Sequence, residues 1–210
     1  MRARRFVVFR IRSPEDPIQQ TCQDLAHLRN TRAAAPQPIA GDGVRQTLDG
    51  IRRIVPIEVH EVPSGTQVFD WQVPREWNIR EAYLVDPDGK KVVDFADNNL
   101  HVMSYSIPVD VEIDLADLQN HLHSIPEQPE LIPYRTSYYA ETWAFCLPHA
   151  VREKLSAGRY TARIDSTLTE GALSFGELFI PGQTDEEFLV YSHVCHPSIA
   201  NDNLSGIAVT

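Results

Sequence analysis

The stretch that most constrains the fold is Ser192-His193-Val194-Cys195-His196-Pro197-Ser198-Ile199-Ala200-Asn201-Asp202-Asn203-Leu204-Ser205-Gly206. It follows an apolar run at residues 188–192, which predicts a buried strand, and it leads into the apolar start of a helix at residues 204–210. Open α/β sheets bind ligands beyond the carboxyl ends of their strands. The stretch therefore predicts an α/β fold with a functional site at this edge of a parallel sheet.

The side chains of this stretch are those that zinc prefers. Zinc takes imidazole nitrogen, thiolate sulfur and carboxylate oxygen, and one carboxylate can bridge two ions. The predicted metal ligands are His193, His196 and Asp202. The residues alone leave a second interpretation open, in which Cys195 is a core thiol and Asp202 only caps a helix.

Composition narrows the class of protein. The chain has 210 residues, a formal net charge of -10, 42% hydrophobic and 23% charged residues, as in soluble globular proteins. The acidity disfavours nucleic-acid binding, which needs clustered Lys and Arg. Three widely spaced cysteines disfavour a disulfide framework and indicate the cytoplasm. We find no signal-peptide core and no apolar stretch long enough to cross a membrane, so no membrane partner is expected.

Upstream of the site the pattern is mainly β. Residues 44–55 have helical periodicity, whereas residues 57–62 and 66–73 have the pattern of a β-hairpin. Further strands are predicted at residues 81–85 and 91–95, which a Pro-Gly turn joins, and buried strands at residues 143–147, 160–164 and 173–180. A brief helix is predicted to run from Leu115 to His123.

Two groups of side chains outside the site stay open to interpretation. The histidines at positions 60, 101, 121, 123 and 149 are scattered, which favours packing or surface roles over metal binding. The aromatic residues are either core packing of the β-rich part, which we favour, or the lining of a substrate groove. They are Phe69, Trp71, Trp77, Tyr138, Tyr139 and Trp143.

Residues 172–209 carry a recognisable order of features. A strand leads to the turn Gly176-Glu177-Leu178-Phe179-Ile180-Pro181-Gly182, then come a spacer, an apolar strand ending in His, and an Asp-Asn-x-Ser-Gly helix start. This order resembles the central stretch of di-zinc peptidases of the bacterial leucyl aminopeptidase and glutamate carboxypeptidase II types. The resemblance implies a zinc exopeptidase-like mixed sheet with flanking helices.

Further motifs extend the resemblance to residues 39–210. They are Gly41-Asp42-Gly43-Val44-Arg45-Gln46-Thr47-Leu48, Val62-Pro63-Ser64-Gly65-Thr66, Phe69-Asp70-Trp71, Pro74-Arg75-Glu76-Trp77, Ser137-Tyr138-Tyr139 and Cys195-His196-Pro197-Ser198. Together they resemble an aminopeptidase-like family of unknown function. That family has a β-rich domain inserted in the peptidase fold and usually a C-terminal winged helix, and some members are associated with polysaccharide biosynthesis.

The resemblance implies roles for the residues of the site. Asp202 corresponds to the carboxylate that bridges two zinc ions. Peptidase spacing favours His193 as a ligand, whereas the Cys-His-Pro-Ser motif favours His196, and both stay open. These peptidases usually have an orienting Asp two residues after the ligand His, and counted from His193 that position is Cys195.

The resemblance also predicts how the chain is organised. Residues 1–38 match poorly, residues 39–74 begin a peptidase-like domain, residues 75–155 form the β-rich insert, and residues 156–210 resume the peptidase-like domain. The chain is expected to be a fragment truncated at its C-terminus, with no catalytic residue of its own, because the general base of such enzymes lies downstream. The full-length protein is expected to hydrolyse a peptide or aminoacyl substrate with two zinc ions. The alternative is a non-catalytic, metal-containing binding module.

Overall fold

The computed structural model describes residues 40–184, 186–194 and 206–207. The described helices are α1 (Asp42–Arg52), α2 (Leu115–Leu118) and α3 (His149–Arg152), with 3-10 turns at Asn99–His101 and Gln119–His121. The described strands are β1 (Glu58–Pro63), β2 (Gln67–Val68), β3 (Trp71–Gln72), β4 (Glu76–Val85), β5 (Lys91–Asp94), β6 (Val109–Asp114), β7 (Leu122–His123), β8 (Phe145–Cys146), β9 (Arg159–Thr169) and β10 (Ala172–Glu177).

Helix α1 confirms the amphipathic pattern of residues 44–55. It begins after Gly41, whose φ of 149° is one that a side chain disfavours, and it ends before Pro56. Val44, Thr47 and Leu48 face inward from α1. The helix packs against β10, where the backbone at Gly176 comes so close that an added Cβ would meet the side chains of Leu48 and Ile57.

The main sheet is antiparallel and has four strands in the order β5-β4-β9-β6. One face of its long central strands is apolar: Trp77, Ile79, Ala82 and Leu84 on β4, and Tyr160, Ala162 and Ile164 on β9. These residues pack with Leu118, Leu122, Phe145 and Leu147 from the connections that cover the face. The other face carries charged side chains, among them Arg163 between Glu81 and Asp110.

Buried polar groups under the sheet are hydrogen-bonded. The indole nitrogen of Trp77 and the hydroxyl of Ser166 both donate to the carbonyl oxygen of Ser106, at 2.8 and 2.7 Å. The hydroxyl of Ser106 donates to the carbonyl oxygen of Met103 at 2.6 Å. Because unpaired buried polar groups are costly, these bonds fix the loop at residues 103–106 beneath the sheet.

The pairing of β1 corrects one prediction. The predicted hairpin between residues 57–62 and 66–73 is wrong, because β1 pairs antiparallel with β10, more than a hundred residues later. Residues 66–73 instead form their own small hairpin, in which β2 pairs with β3 around Phe69 and Asp70. The predicted helix from Leu115 to His123 is also shorter, since α2 gives way to a 3-10 turn and then to β7.

The apolar run before the predicted site is not a buried strand. Residues 186–194 have no regular secondary structure, and the side chains of residues 188–191 are exposed, Leu189 to 85%. An apolar run becomes a buried strand only where a neighbouring strand takes its backbone hydrogen bonds, and no described strand pairs with it. Among the described residues, parallel pairing is limited to β7 with β8 and one isolated bridge.

The predicted domain boundary between residues 155 and 156 separates strands that belong to one sheet, the main sheet. Strand β9 is hydrogen-bonded to β4 over residues 161–169 and to β6 over residues 159–164, so the sheet contains residues from both sides of that division. None of the described helices is both long and apolar enough to span a membrane.

Candidate functional site

The structure describes one of the three predicted metal ligands. His193 lies in the irregular segment at residues 186–194, is half-buried, and has its ring centroid 6.3 Å from that of Tyr191. His196, Asp202 and Cys195 lie outside the described residues. Whether His193 or His196 approaches Asp202 therefore stays a prediction.

The described ranges do not contain a metal centre of their own. Residues 40–184, 186–194 and 206–207 include no group of three or more His, Cys, Asp or Glu side chains that could hold a metal ion. The predicted ligands His196 and Asp202 lie outside these ranges, so the zinc site stays a prediction.

The strongest charged network lies at the start of strand β4. The Nη1 atom of Arg45 on α1 donates to Oε2 of Glu76 at 3.0 Å, and its Nε atom donates to Oε1 of Glu61 on β1 at 2.8 Å. The backbone N–H of Ala172, the first residue of β10, donates to Oε1 of Glu76 at 2.7 Å. One carboxylate therefore joins α1, β4 and β10.

Hydrogen bonds from Arg45 set the protonation of this network. They hold the pKa of Glu76 below its usual range against an opposing effect of burial, and the N–H of Ala172 adds to the lowering. Arg45 and Ser174 lower the pKa of Glu61 in the same way. The two carboxylates in turn raise the pKa of Arg45. Sequence analysis missed this network, because Glu76 precedes the core residue Trp77 and so faces the side of β4 opposite the apolar one.

A second group of titratable residues lies on the opposite face of the β1–β10 pair. The ring of His60 stacks on that of Phe175 with 5.1 Å between centroids. Its Nε2 atom lies 3.5 Å from a carboxylate oxygen of Glu177 and 3.9 Å from one of Glu58. The imidazole therefore sits between two carboxylates on neighbouring strands.

The other predicted packing histidines are held by backbone and side-chain contacts. His101 contacts the carbonyl oxygen of Cys146 through Nδ1 at 2.8 Å, and the ring of His121 stacks on Trp143 at 3.8 Å. His149 contacts the hydroxyl of Ser124 through Nδ1 at 2.9 Å. Burial raises the pKa of the Cys146 thiol to about 12, so this cysteine is an inert core residue.

The six aromatic residues divide into two groups. Trp77 is buried, and Tyr138 and Trp143 are half-buried, with rings against Tyr105 and His121. Phe69 is 97% exposed, Tyr139 57% and Trp71 37%, so core packing is wrong for these three. One feature of the sequence could have predicted the exposure of Phe69. Phe69 and Asp70 lie between two short β segments, and side chains in such a turn point outward.

The central part of the chain matches a known protein family. Residues 76–167 match the family described as Domain of unknown function (DUF2172). This matched region contains the strands of the main sheet from β4 to nearly all of β9. Glu76 is its first residue, whereas Arg45 and Ala172 lie outside it, so the charged network joins the matched region to the segments on either side of it.

Two relatives extend the similarity beyond residues 76–167. The chain is 52% identical over 171 residues to a Clostridium acetobutylicum protein named "Putative polysaccharide biosynthesis protein with aminopeptidase-like domain", covering 81% of this chain and 39% of that protein. It is 46% identical to a solved "putative peptidase" from Clostridium acetobutylicum, with a TM-score of 0.86 over 92% of this chain and 46% of the other. The chain thus spans less than half the length of these relatives and is similar to aminopeptidase-like proteins.

Proposed function

We propose that this chain belongs to a zinc-dependent aminopeptidase-like hydrolase that cleaves an amide bond at a free N-terminus. The observation that carries the proposal is the similarity, in sequence and in backbone, to relatives named for aminopeptidase or peptidase character over most of this chain. A peptide or aminoacyl compound is the substrate class that follows. The three widely spaced cysteines of the sequence favour, within this proposal, a cytoplasmic protein.

In the proposed site, Asp202 and an imidazole from His193 or His196 hold zinc, with two ions in the full-length protein. When bound, zinc activates water and polarises the substrate carbonyl. Cys195 takes the position at which a carboxylate would orient His193, which favours a weaker orientation of that imidazole than in the di-zinc peptidases. The general base is supplied from outside this chain.

The described residues fix the segments that precede the proposed site in the chain. Arg45, Glu76 and the N–H of Ala172 tie α1 and β10 to the first residue of β4. Strand β10 ends at Glu177, sixteen residues before His193.

We further propose that the peptidase-like domain comprises residues 39–74 together with the chain from about residue 170 onward. The predicted insert at residues 75–155 then extends through β9, because β9 lies between β4 and β6 in one sheet. Splitting that sheet between two domains would leave central backbone hydrogen bonds without partners.

Release of nitroaniline from leucyl 4-nitroanilide by the full-length protein tests the proposal. We expect activity that a chelator removes, that zinc restores, and that Asp202→Asn reduces by at least a thousand-fold. Asp97→Asn is the matched control, because Asp97 is exposed on a turn within residues 76–167. His193→Ala and His196→Ala distinguish the two possible ligands, since one of them retains zinc. Zinc-free protein with full activity would contradict the proposal.

A second candidate function is a non-catalytic binding module that keeps the metal. Two observations favour it: the name of the relative includes polysaccharide biosynthesis, and Cys195 occupies the position of the orienting carboxylate. Zinc at full occupancy with no aminopeptidase turnover, measured on the same full-length preparation, would favour this candidate over the first.

A further inference from the structure

Three exposed aromatic side chains lie on or beside the β2–β3 hairpin. Phe69, Trp71 and Tyr139 are here called the hairpin aromatic surface. Phe69 and Trp71 lie at the turn of the β2–β3 hairpin, and both are exposed. Exposure of one large aromatic ring is ordinary, whereas three at one place indicate a binding surface.

Tyr139 is held beside the hairpin although it comes from a distant part of the chain. Its hydroxyl donates to the carbonyl oxygen of Gln72, the residue that follows Trp71. The guanidinium of Arg75 pairs with Glu141, which makes a second link between the hairpin and the segment of Tyr139. Tyr139 is therefore held next to the hairpin that carries Phe69 and Trp71.

The backbone at this surface adopts conformations that aromatic residues disfavour. Phe69 has a φ of 51° and Tyr138 a φ of 44°, both in the left-handed region. Inside the protein, the ring of Tyr138 packs against Tyr105 with 5.3 Å between centroids, and the next residue, Tyr139, points outward. The amide of Gln67 donates to the carbonyl oxygen of Phe69 at 2.8 Å and stabilises the turn. Such strain is typical of functional sites.

The rim of the surface offers hydrogen-bond acceptors. Asp70 and Glu141 are exposed carboxylates. The exposed side chains of Gln67 and Gln72 use their amide nitrogens on backbone carbonyls, and an amide oxygen can still accept a hydrogen bond. The nearby cation, Arg75, is paired with Glu141. Flat rings bordered by acceptors fit a ligand with an apolar C–H face and several hydroxyl donors, which is the chemistry of a neutral sugar ring.

Two other ligand classes fit less well. An anionic ligand is repelled by the carboxylates at the rim and by a chain whose net charge is -10. An extended peptide gains most of its affinity by pairing its backbone with an edge strand, and β2 and β3 have only two residues each. The surface thus offers a peptide little backbone pairing.

We propose that the hairpin aromatic surface binds a neutral glycan, with sugar rings stacked on Trp71 and Phe69 and hydroxyl groups bonded to the carboxylates and amide oxygens of the rim. The inference rests on the second candidate function, and it assigns that function a place on the chain. It does not involve the metal, so its test is made in the presence of a chelator.

Tryptophan fluorescence gives a direct test because the three tryptophans differ in exposure. Trp71 is 37% exposed and Trp77 is 2% exposed, and Trp143 is half-buried, so acrylamide quenching reports mainly on Trp71. The probes are cellohexaose, maltohexaose and mannohexaose at millimolar concentration, with tetra-alanine as the peptide probe. We expect at least one hexasaccharide to lower the quenching constant about two-fold and in a saturable way, and tetra-alanine to leave it unchanged.

Calorimetric titration of variants locates the binding site. Phe69→Ala, Trp71→Ala and Tyr139→Ala are expected to weaken binding of that hexasaccharide at least ten-fold, with far-UV circular dichroism and the thermal unfolding midpoint unchanged. Phe175→Ala, an exposed aromatic on β10, is the matched control and is expected to bind as the unchanged chain does. Glycan binding that survives all three substitutions would overturn the assigned surface while leaving a binding module intact. Protection of Trp71 by tetra-alanine alone, or no binding of any hexasaccharide, would overturn the inference.

Discussion

The guanidinium of Arg45 on helix α1 pairs with the carboxylate of Glu76 at the first residue of strand β4, thirty-one positions along the chain. The Glu76 side chain is 10% exposed and also accepts the N–H of Ala172. A carboxylate this buried is stable only while its partners remain, because a lone buried charge is costly. The pair therefore fixes three separate segments relative to one another.

Replacing Glu76 with Gln should destabilise the protein through this pair. The neutral amide keeps the shape but loses the charge-assisted bonds to Arg45, so we expect the free energy of unfolding to fall by about 1–3 kcal/mol. Urea denaturation of Glu76→Gln, Arg45→Met and the double variant measures the coupling between them. Asp165→Asn, in the exposed pair with Arg80, is the control and should cost much less. Additive effects of Glu76→Gln and Arg45→Met would contradict the coupling.

Low pH should lower the free energy of unfolding by protonating the same carboxylates. The folded-state pKa values of Glu61 and Glu76 lie below the ordinary value because Arg45 bonds to their ionised forms. Their contribution is present above the unfolded-state pKa and is lost as the pH falls through the lower folded-state pKa, so we expect the unfolding free energy to drop as the pH falls below the ordinary pKa of glutamate. A Glu76→Gln variant should show a shallower drop. Equal slopes in both proteins would refute this assignment.

Gly171→Ala should act on Glu76 from the opposite side. A Cβ at position 171 would overlap the carboxyl group of Glu76, which cannot move aside without breaking its bonds to Arg45 and Ala172. We expect a loss of about 1–3 kcal/mol, the usual cost of overpacking. Gly171 does not have a left-handed φ, so the loss reports packing against Glu76 and not backbone strain. Equal stability of Gly171→Ala and the unchanged chain would contradict this packing.

Shortening a side chain of the main sheet should lower the free energy of unfolding only where that side chain is buried. Leu84 on β4 is fully buried, so we expect Leu84→Ala to cost about 2–5 kcal/mol in unfolding free energy. Val111 on β6 is 42% exposed, and Val111→Ala should change that free energy by no more than about 0.5 kcal/mol. Thermal unfolding followed by circular dichroism compares the two. A similar loss for both would show that the sheet does not bury the β4 face.

Local patterns predicted helices and strands well because they depend on nearby residues. Helix α1 follows the spacing of Val44 and Leu48, and the β4–β5 pair follows the alternation around a Pro-Gly turn. Strand partners were harder to predict, since the register between Glu58 and Glu177 is set by packing that local periodicity does not contain. The same holds for Arg45 and Glu76, whose contact requires three segments to meet.

For the candidate site, residue types gave a prediction of the ligands, whereas the structure of the segment before them was predicted wrongly. Residue types predicted zinc ligands at His193, His196 and Asp202, and of these only His193 falls within the described residues. The expected buried strand before it is an exposed, irregular segment, because hydrophobicity alone does not supply a pairing partner. Exposure also separated Phe69 from Trp77, two aromatic residues that the pattern alone treated alike.

The most direct test of the account is anomalous scattering at the zinc absorption edge from crystals of the full-length protein. The account predicts a zinc peak about 2.0–2.2 Å from a carboxylate oxygen of Asp202 and from a ring nitrogen of either His193 or His196. An Asp202 carboxylate that points into solvent, far from both imidazoles and from any zinc peak, would contradict it.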